Sequence, residues 1–97
     1  MLVDRRILHI ARDKMDEAVT ILTQELARVS WQRPARVYRP AVAAFDQIMV
    51  EVEFENWEEM EGFWAGWNGA PETAEFWTAW AEVARPGGSR ELWETTE

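Results

Sequence analysis

The nine residues Gln47 to Glu55, QIMVEVEFE, alternate without a break. Ile48, Val50, Val52 and Phe54 fall on one side of an extended chain, and Gln47, Met49, Glu51, Glu53 and Glu55 on the other. Successive side chains of a strand point to opposite faces, so one face of this strand is apolar and the other carries carboxylates. The apolar face has to be covered by another layer.

The flanking sequence supplies that layer. Arg5 to Arg12, RRILHIAR, reads as a strand whose nearly continuous apolar residues suit coverage on both faces. Asp13 is the expected cap of the helix that follows, with Asp16 and Glu17 in its first turn. Met15, Ala18, Val19, Leu22, Leu26 and Val29 recur at three- and four-residue spacing, which makes one apolar stripe ending near Ser30. Ala35 to Val42 reads as a second strand, at an edge or bulged because Pro40 cannot donate to a ladder. After the alternating strand, Asn56 caps a helix with Glu58 and Glu59 in its first turn, stopping at Asn68-Gly69-Ala70-Pro71. A third helix is expected from Glu72 to Ala84, a turn at Pro86-Gly87-Gly88, and a closing strand from Arg90 to Thr95. This order predicts an α+β chain, the ferredoxin-like βαββαβ pattern with its second helix split in two. It carries a four-stranded antiparallel sheet in a single domain over residues 1–97.

Size and composition narrow the rest. A 97-residue domain buries only about 60–65% of its unfolded surface, so it needs outside help. Without cysteine there is no disulfide or thiolate metal site, and a single histidine rules out a multi-histidine site within one chain. Neither metal nor cofactor is expected, and self-association is the help that remains. A formal net charge of −8 disfavours nucleic acid and anionic membrane surfaces. No apolar run approaches the ~20 residues of a membrane span, and the N-terminus does not read as a signal peptide, so the expected location is cytoplasmic.

The sequence says nearly the same thing twice at Phe63-Trp64-Ala65-Gly66-Trp67 and Phe76-Trp77-Thr78-Ala79-Trp80. On helices, Trp57, Met60, Trp64 and Trp67 form one stripe, and Phe76, Trp77, Trp80 and Val83 another. The stripes either pack on the sheet and a neighbouring subunit or line a pocket, since each indole brings a large apolar body and one N–H that needs a partner. The candidate ligand-binding residues are Tyr38, Trp64, Trp67, Trp77 and Trp93.

A ferredoxin-like sheet leaves one face without helices. Met49, Glu51 and Glu53 lie there, joined by Ile7 and His9 if Leu8 and Ile10 point at the helices. An identical sheet from a second chain can cover that face, with Arg5, Arg36, Arg39 and Arg90 available to the carboxylates. The candidate interface residues are His9, Met49, Glu51, Glu53 and Arg39. His9, as a packed residue, a haem ligand or a general base, and Tyr38 are the candidates for proton transfer.

Three stretches carry a resemblance: AAFDQIMVEVEFENWEEMEGFWAGW, the proline-started PETAEFWTAWAEVA and the closing GGSRELWE. With the layout above, the chain resembles the dimeric α/β-barrel superfamily. That group includes antibiotic-biosynthesis-type monooxygenases, haem-degrading monooxygenases and NIPSNAP-like proteins. The resemblance implies a homodimer whose two sheets form one barrel with the helices outside. Haem degradation in that group uses an asparagine on the first strand, a tryptophan and a histidine on a helix. Here RRILHIAR has no asparagine and no expected helix carries a histidine. The cofactor-free oxygenases use asparagine, tryptophan and tyrosine between sheet and helices, and Tyr38, Trp64 and Trp93 supply part of such a set. The function expected is therefore a non-catalytic binding or accessory domain with a Trp-rich cleft for a small apolar or aromatic ligand. The alternatives are a cofactor-independent monooxygenase acting on a quinol-like substrate and a structural protein-interaction module.

Overall fold

The computed structural model describes residues 1–30 and 32–96. Strand β1 is Leu2–Ile10, helix α1 Met15–Val29, β2 Ala35–Tyr38, β3 Gln47–Phe54, α2 Trp57–Gly69, α3 Pro71–Ala81 and β4 Ala84–Glu94. Among the described residues, four strands form one antiparallel sheet in the order β2-β3-β1-β4, with three helices on one face. This is the expected ferredoxin-like α+β fold with its second helix in two pieces.

Alternation decides what each face carries. On β3, Ile48, Val50, Val52 and Phe54 are buried under the helices. Residues directly opposite each other in a sheet share a face. Leu8 lies opposite Ile48, Arg6 opposite Val50, Asp4 opposite Val52 and Leu2 opposite Phe54. The helix-facing row of β1 is therefore Leu2, Asp4, Arg6, Leu8 and Ile10, and Ile7 and His9 take the open face. The core gathers Ile10, Ile48, Phe54 and Val83, with Ala18 and Leu22 of α1, Met60 of α2 and Trp80 of α3 packed onto them.

Several boundaries differ from those expected. β1 starts at Leu2, so Asp4 belongs to the strand. Asp13 adopts φ +67 and is no cap; Lys14 occupies that position and makes no side-chain cap bond. β2 ends at Tyr38, two residues before Pro40. Pro86-Gly87-Gly88 is no turn but part of β4, where the pairing with β1 shifts register between Leu8 and Ile10. Gly87 and Gly88 have φ +108 and +111, and a Cβ on Gly88 would run into the Ile7 carbonyl oxygen. Glycine is what lets the strand carry this irregularity.

Asn56 does cap α2, its side chain accepting from the Glu59 amide at 2.9 Å, while the Glu59 carboxylate accepts from the Glu55 amide at 2.8 Å. The break between α2 and α3 is closed by Thr73, which is buried and donates its hydroxyl to the Trp67 carbonyl. The same carbonyl accepts from the Ala70 amide at 3.2 Å, so the end of α2 is tied to the first turn of α3.

Candidate ligand cleft between helices and sheet

The two tryptophan phrases meet at Trp67. Its ring packs edge-on against Trp64 at 5.7 Å within α2, and against Phe76 and Trp77 of α3 at 5.6 Å each. Phe54, Phe63 and Trp64 extend the series on one side, and Phe76 stacks on Trp80 at 5.8 Å on the other. Edge-to-face pairs of this kind contribute about 0.5–1.5 kcal/mol each beyond the area they bury. Trp57 is half exposed and stands outside the series, so α2 presents Met60, Phe63 and Trp64 to the core and Trp67 to α3, not the stripe starting at Trp57.

Each inner indole N–H is held by a carboxylate. Trp64 Nε1 donates to Asp4 Oδ2 at 2.9 Å, and Trp67 Nε1 donates to Glu25 Oε2 at 2.6 Å. Each carboxylate is gripped in turn by an arginine through two nitrogens. Arg90 reaches Asp4 at 3.0 and 2.7 Å, and Arg28 reaches Glu25 at 3.0 and 2.6 Å. Such fork-to-fork pairs fix orientation as well as charge. Asp4 is 1% exposed, which costs a carboxylate heavily unless it is paired. Burial alone would raise its pKa, but Arg90, then Arg6, together with the Trp64 N–H, hold it below the ordinary value. Glu25 follows the same logic: burial pushes up, and Arg28 and Trp67 bring it below the usual range.

Between these two relays lies a cleft of about 90 Å3, lined by Leu22, Leu26, Val50, Trp64, Trp67 and Trp80 among others, with Trp77 at its edge. Its polar lining is Arg6, Glu25 and Arg33. Arg6 sits over the Trp64 ring, its guanidinium carbon 4.3 Å from the centroid. Arg33 forms an ion pair with Glu59. An apolar cavity of about 150 Å3 holds one benzene, so this cleft admits a single ring only if part of it stays in the open mouth. Among the described residues, no group of three potential metal ligands stands together, and no helix is long and apolar enough to cross a membrane.

Of the residues expected to bind ligand, Trp64, Trp67 and Trp77 are brought together here. Tyr38 and Trp93 are not. Trp93 pairs with Val3 and Tyr38 with Met49, which places both on the open face of the sheet. That face also carries Arg5, Ile7, His9, Glu51 and Glu53. Arg39 follows β2, reaches Asp16 of α1 at 2.7 Å, and lines the depression beside Ile7, Tyr38 and Met49. Arg90 pairs with Asp4 and so belongs to the helix side.

On the open face, the carboxylates are answered within the chain. Glu51 accepts from Arg5 Nε and from the Tyr38 hydroxyl, both at 2.8 Å, and Glu53 accepts from Arg36 at 3.1 Å. The bond to Glu51 raises the Tyr38 pKa, so the phenol keeps its proton. Burial would raise the Glu51 pKa, but Tyr38 and Arg5 lower it overall. His9 sits between Gln47, whose amide is 3.5 Å from Nε2, and Gly87. A shallower depression of about 360 Å3 opens beside Ile7, Tyr38, Met49 and the segment from Arg39 to Ala43. Val42 and Phe45 nearby are 99% and 91% exposed.

Asp4, Arg6, Glu25, Arg28 and Arg90 were not among the site residues expected from sequence. Their signal is a charge inside an apolar register. Asp4 and Arg6 interrupt the row Leu2, Leu8, Ile10, and Glu25 lies on the α1 stripe between Leu22 and Val29.

No family model matches the chain, and no curated protein matches it either. Solved structures do. The chain is similar to a NIPSNAP domain protein from Burkholderia xenovorans, with TM-score 0.86 and 13% identity over 99% of this chain and 95% of that one. A protein described as an antibiotic biosynthesis monooxygenase matches with TM-score 0.70 and 12% identity over 100% of both chains. A dimeric protein of unknown function with a ferredoxin-like fold, from Bacteroides fragilis, matches with TM-score 0.60 and 13% identity over 97% of this chain and 96% of that one. At these identities the likeness is one of fold. It agrees with the resemblance read from the sequence, and function has to be argued from the site.

Proposed function

We propose that this protein is a non-catalytic binding or accessory domain that takes a small, flat, largely apolar ligand in the cleft among Trp64, Trp67 and Trp77. One observation carries the reading. A gap of about 90 Å3 is left among side chains that are otherwise tied down. Packed interiors hold few voids larger than a water, and about 10–15 Å3 is enough for one. The gap opens to the surface and is walled by fixed aromatic rings, which is the form a ligand cleft takes. The Trp64 and Trp67 N–H groups are already satisfied, so those ring faces remain as apolar walls.

The test is calorimetric titration with benzyl alcohol, a one-ring neutral probe, on the native protein and on Leu26→Trp, which fills the gap. Saturable binding that the filled variant loses is expected. No saturable binding to the native protein would overturn the proposal.

A second copy over the open sheet face belongs to the same reading. It is supported by the half-buried Val3, Ile7 and Met49, by Trp93 at 54% exposure, and by the Bacteroides fragilis protein described as dimeric. Light scattering is expected to give about twice the 11.3 kDa chain mass.

A cofactor-independent monooxygenase is the second reading, favoured by the fold shared with the protein described as an antibiotic biosynthesis monooxygenase. Its candidates for proton transfer, His9 and Tyr38, face away from the cleft. Within the cleft, Glu25 is a weak base because Arg28 and Trp67 hold it. Oxygen uptake with a panel of quinols, lost in Tyr38→Phe or His9→Ala, would favour this reading over the first.

A further inference from the structure

The net charge of the chain is −8, yet the charge left over at the cleft is positive. The carboxylates at or beside the lining are each matched by their own arginine: Asp4 by Arg90, Glu25 by Arg28 and Glu59 by Arg33. Among the described residues, Arg6 is the lining cation that has no carboxylate of its own and shares Asp4 with Arg90. Its Nε is 3.6 Å from Asp4 Oδ1, too far for a hydrogen bond, and that buried nitrogen has no hydrogen-bond partner among the described residues. The guanidinium is not sealed away, since the side chain is 34% exposed. It is held in place by Trp64 beneath it, with its donors available at the cleft wall.

A buried donor left unbonded is costly, and native structures keep few of them. Asp4 Oδ1 accepts only from Arg90 Nε and can also serve Arg6, but one carboxylate then answers two arginines and a positive charge is left over. The Nε is closed off from the cleft, and the exposed part of the guanidinium is what an acceptor brought in from outside can reach. The apolar walls ask for a ring, and a guanidinium fork matches a planar carboxylate best.

We infer that the ligand of this cleft is a small aromatic monocarboxylate, its ring between the tryptophans and its carboxylate on Arg6. This deepens the binding reading above and rests on it: Arg6 selects the acid over its neutral counterpart. Arg6 has no part in bond-making; it sets specificity.

The experiment compares benzoate with benzyl alcohol, which has a similar ring and no charge. Dissociation constants are measured at two salt concentrations on the native protein, Arg6→Met and Arg6→Gln. A charged hydrogen bond is worth more than a neutral one, so benzoate is expected to bind about fivefold to tenfold more tightly. The preference should shrink at high salt and fall to about one in either variant. Two variants are used because either alone could disturb β1; circular dichroism identifies a misfolded one. If both misfold, the salt dependence of the native preference decides. Equal binding of the two probes, or a preference that survives both variants or ignores salt, overturns the inference while leaving the cleft in place. If neither probe binds, the cleft reading itself fails and this inference falls with it.

Discussion

Replacing Asp4 by asparagine tests the physical core of this structure. The Asp4 side chain is fully buried and takes two bonds from Arg90 and one from Trp64, with Arg6 close by. Removing one partner of a buried ion pair costs about 3–5 kcal/mol when the survivor is trapped. Here Arg90 and Arg6 have side chains 44% and 34% exposed and can turn toward water, and the amide keeps one acceptor oxygen. The expected loss is therefore about 2–3 kcal/mol. For a chain of this length that lowers Tm by about 10–20 °C.

The loss also carries a pH signature. Asp4 has a folded pKa below its unfolded one. Its contribution is complete above the unfolded value, near pH 4, and disappears as pH falls through the folded value. The asparagine of the variant cannot titrate, so the gap between the two proteins should be full at pH 7 and close below about pH 4. Urea melts followed by circular dichroism, at equal chain concentration because association adds stability, give the gap directly. A difference under about 0.5 kcal/mol at pH 7, or one unchanged from pH 7 to pH 3, would refute the reasoning.

Two further sites have expected outcomes. Glu25→Gln should cost about 1–2 kcal/mol in the same melts, less than Asp4→Asn, because Glu25 is less buried than Asp4 and Arg28, 34% exposed, keeps Glu72 of α3 nearby. Gly87→Ala should cost about 1–2 kcal/mol for its positive φ, since the atom its Cβ meets belongs to the His9 ring, which can turn. Gly88→Ala should cost distinctly more and reduce soluble yield, because its Cβ meets the Ile7 backbone carbonyl, which cannot. Equal stabilities for the two alanine variants would contradict the account of the β4 bulge.

The fold was legible because period-2 and period-3.6 patterns are written in residues that pack. QIMVEVEFE declared its two faces outright, and Asn56 its cap. Asp13 misled because an aspartate before a helix can also take positive φ and sit in the turn itself. Pro86-Gly87-Gly88 misled because the same residues that make turns also allow a bulge inside a strand. The cleft was half legible. Helical spacing put Trp64, Trp67 and Trp77 together, but Tyr38 and Trp93 depend on strand parity, which was open until the register was known. Asp4 was hidden by starting β1 at Arg5, which removed the acid from the row where its partners stand, and the face taken by Arg6 depended on the same strand parity. Long-range pairs such as Asp4 with Arg90, 86 residues apart, leave no local trace.

Indole N–H resonances report most directly on where a ligand sits. Trp64 and Trp67 face the cleft from α2, while Trp93 stands across the sheet with its N–H on Glu91. In a nitrogen-15 spectrum assigned with tryptophan-to-phenylalanine variants, adding benzyl alcohol should move the Trp64 and Trp67 indole signals along a saturating curve and leave Trp93 in place. Movement of Trp93 with Trp64 and Trp67 unchanged would put the ligand on the open face and contradict the site described here.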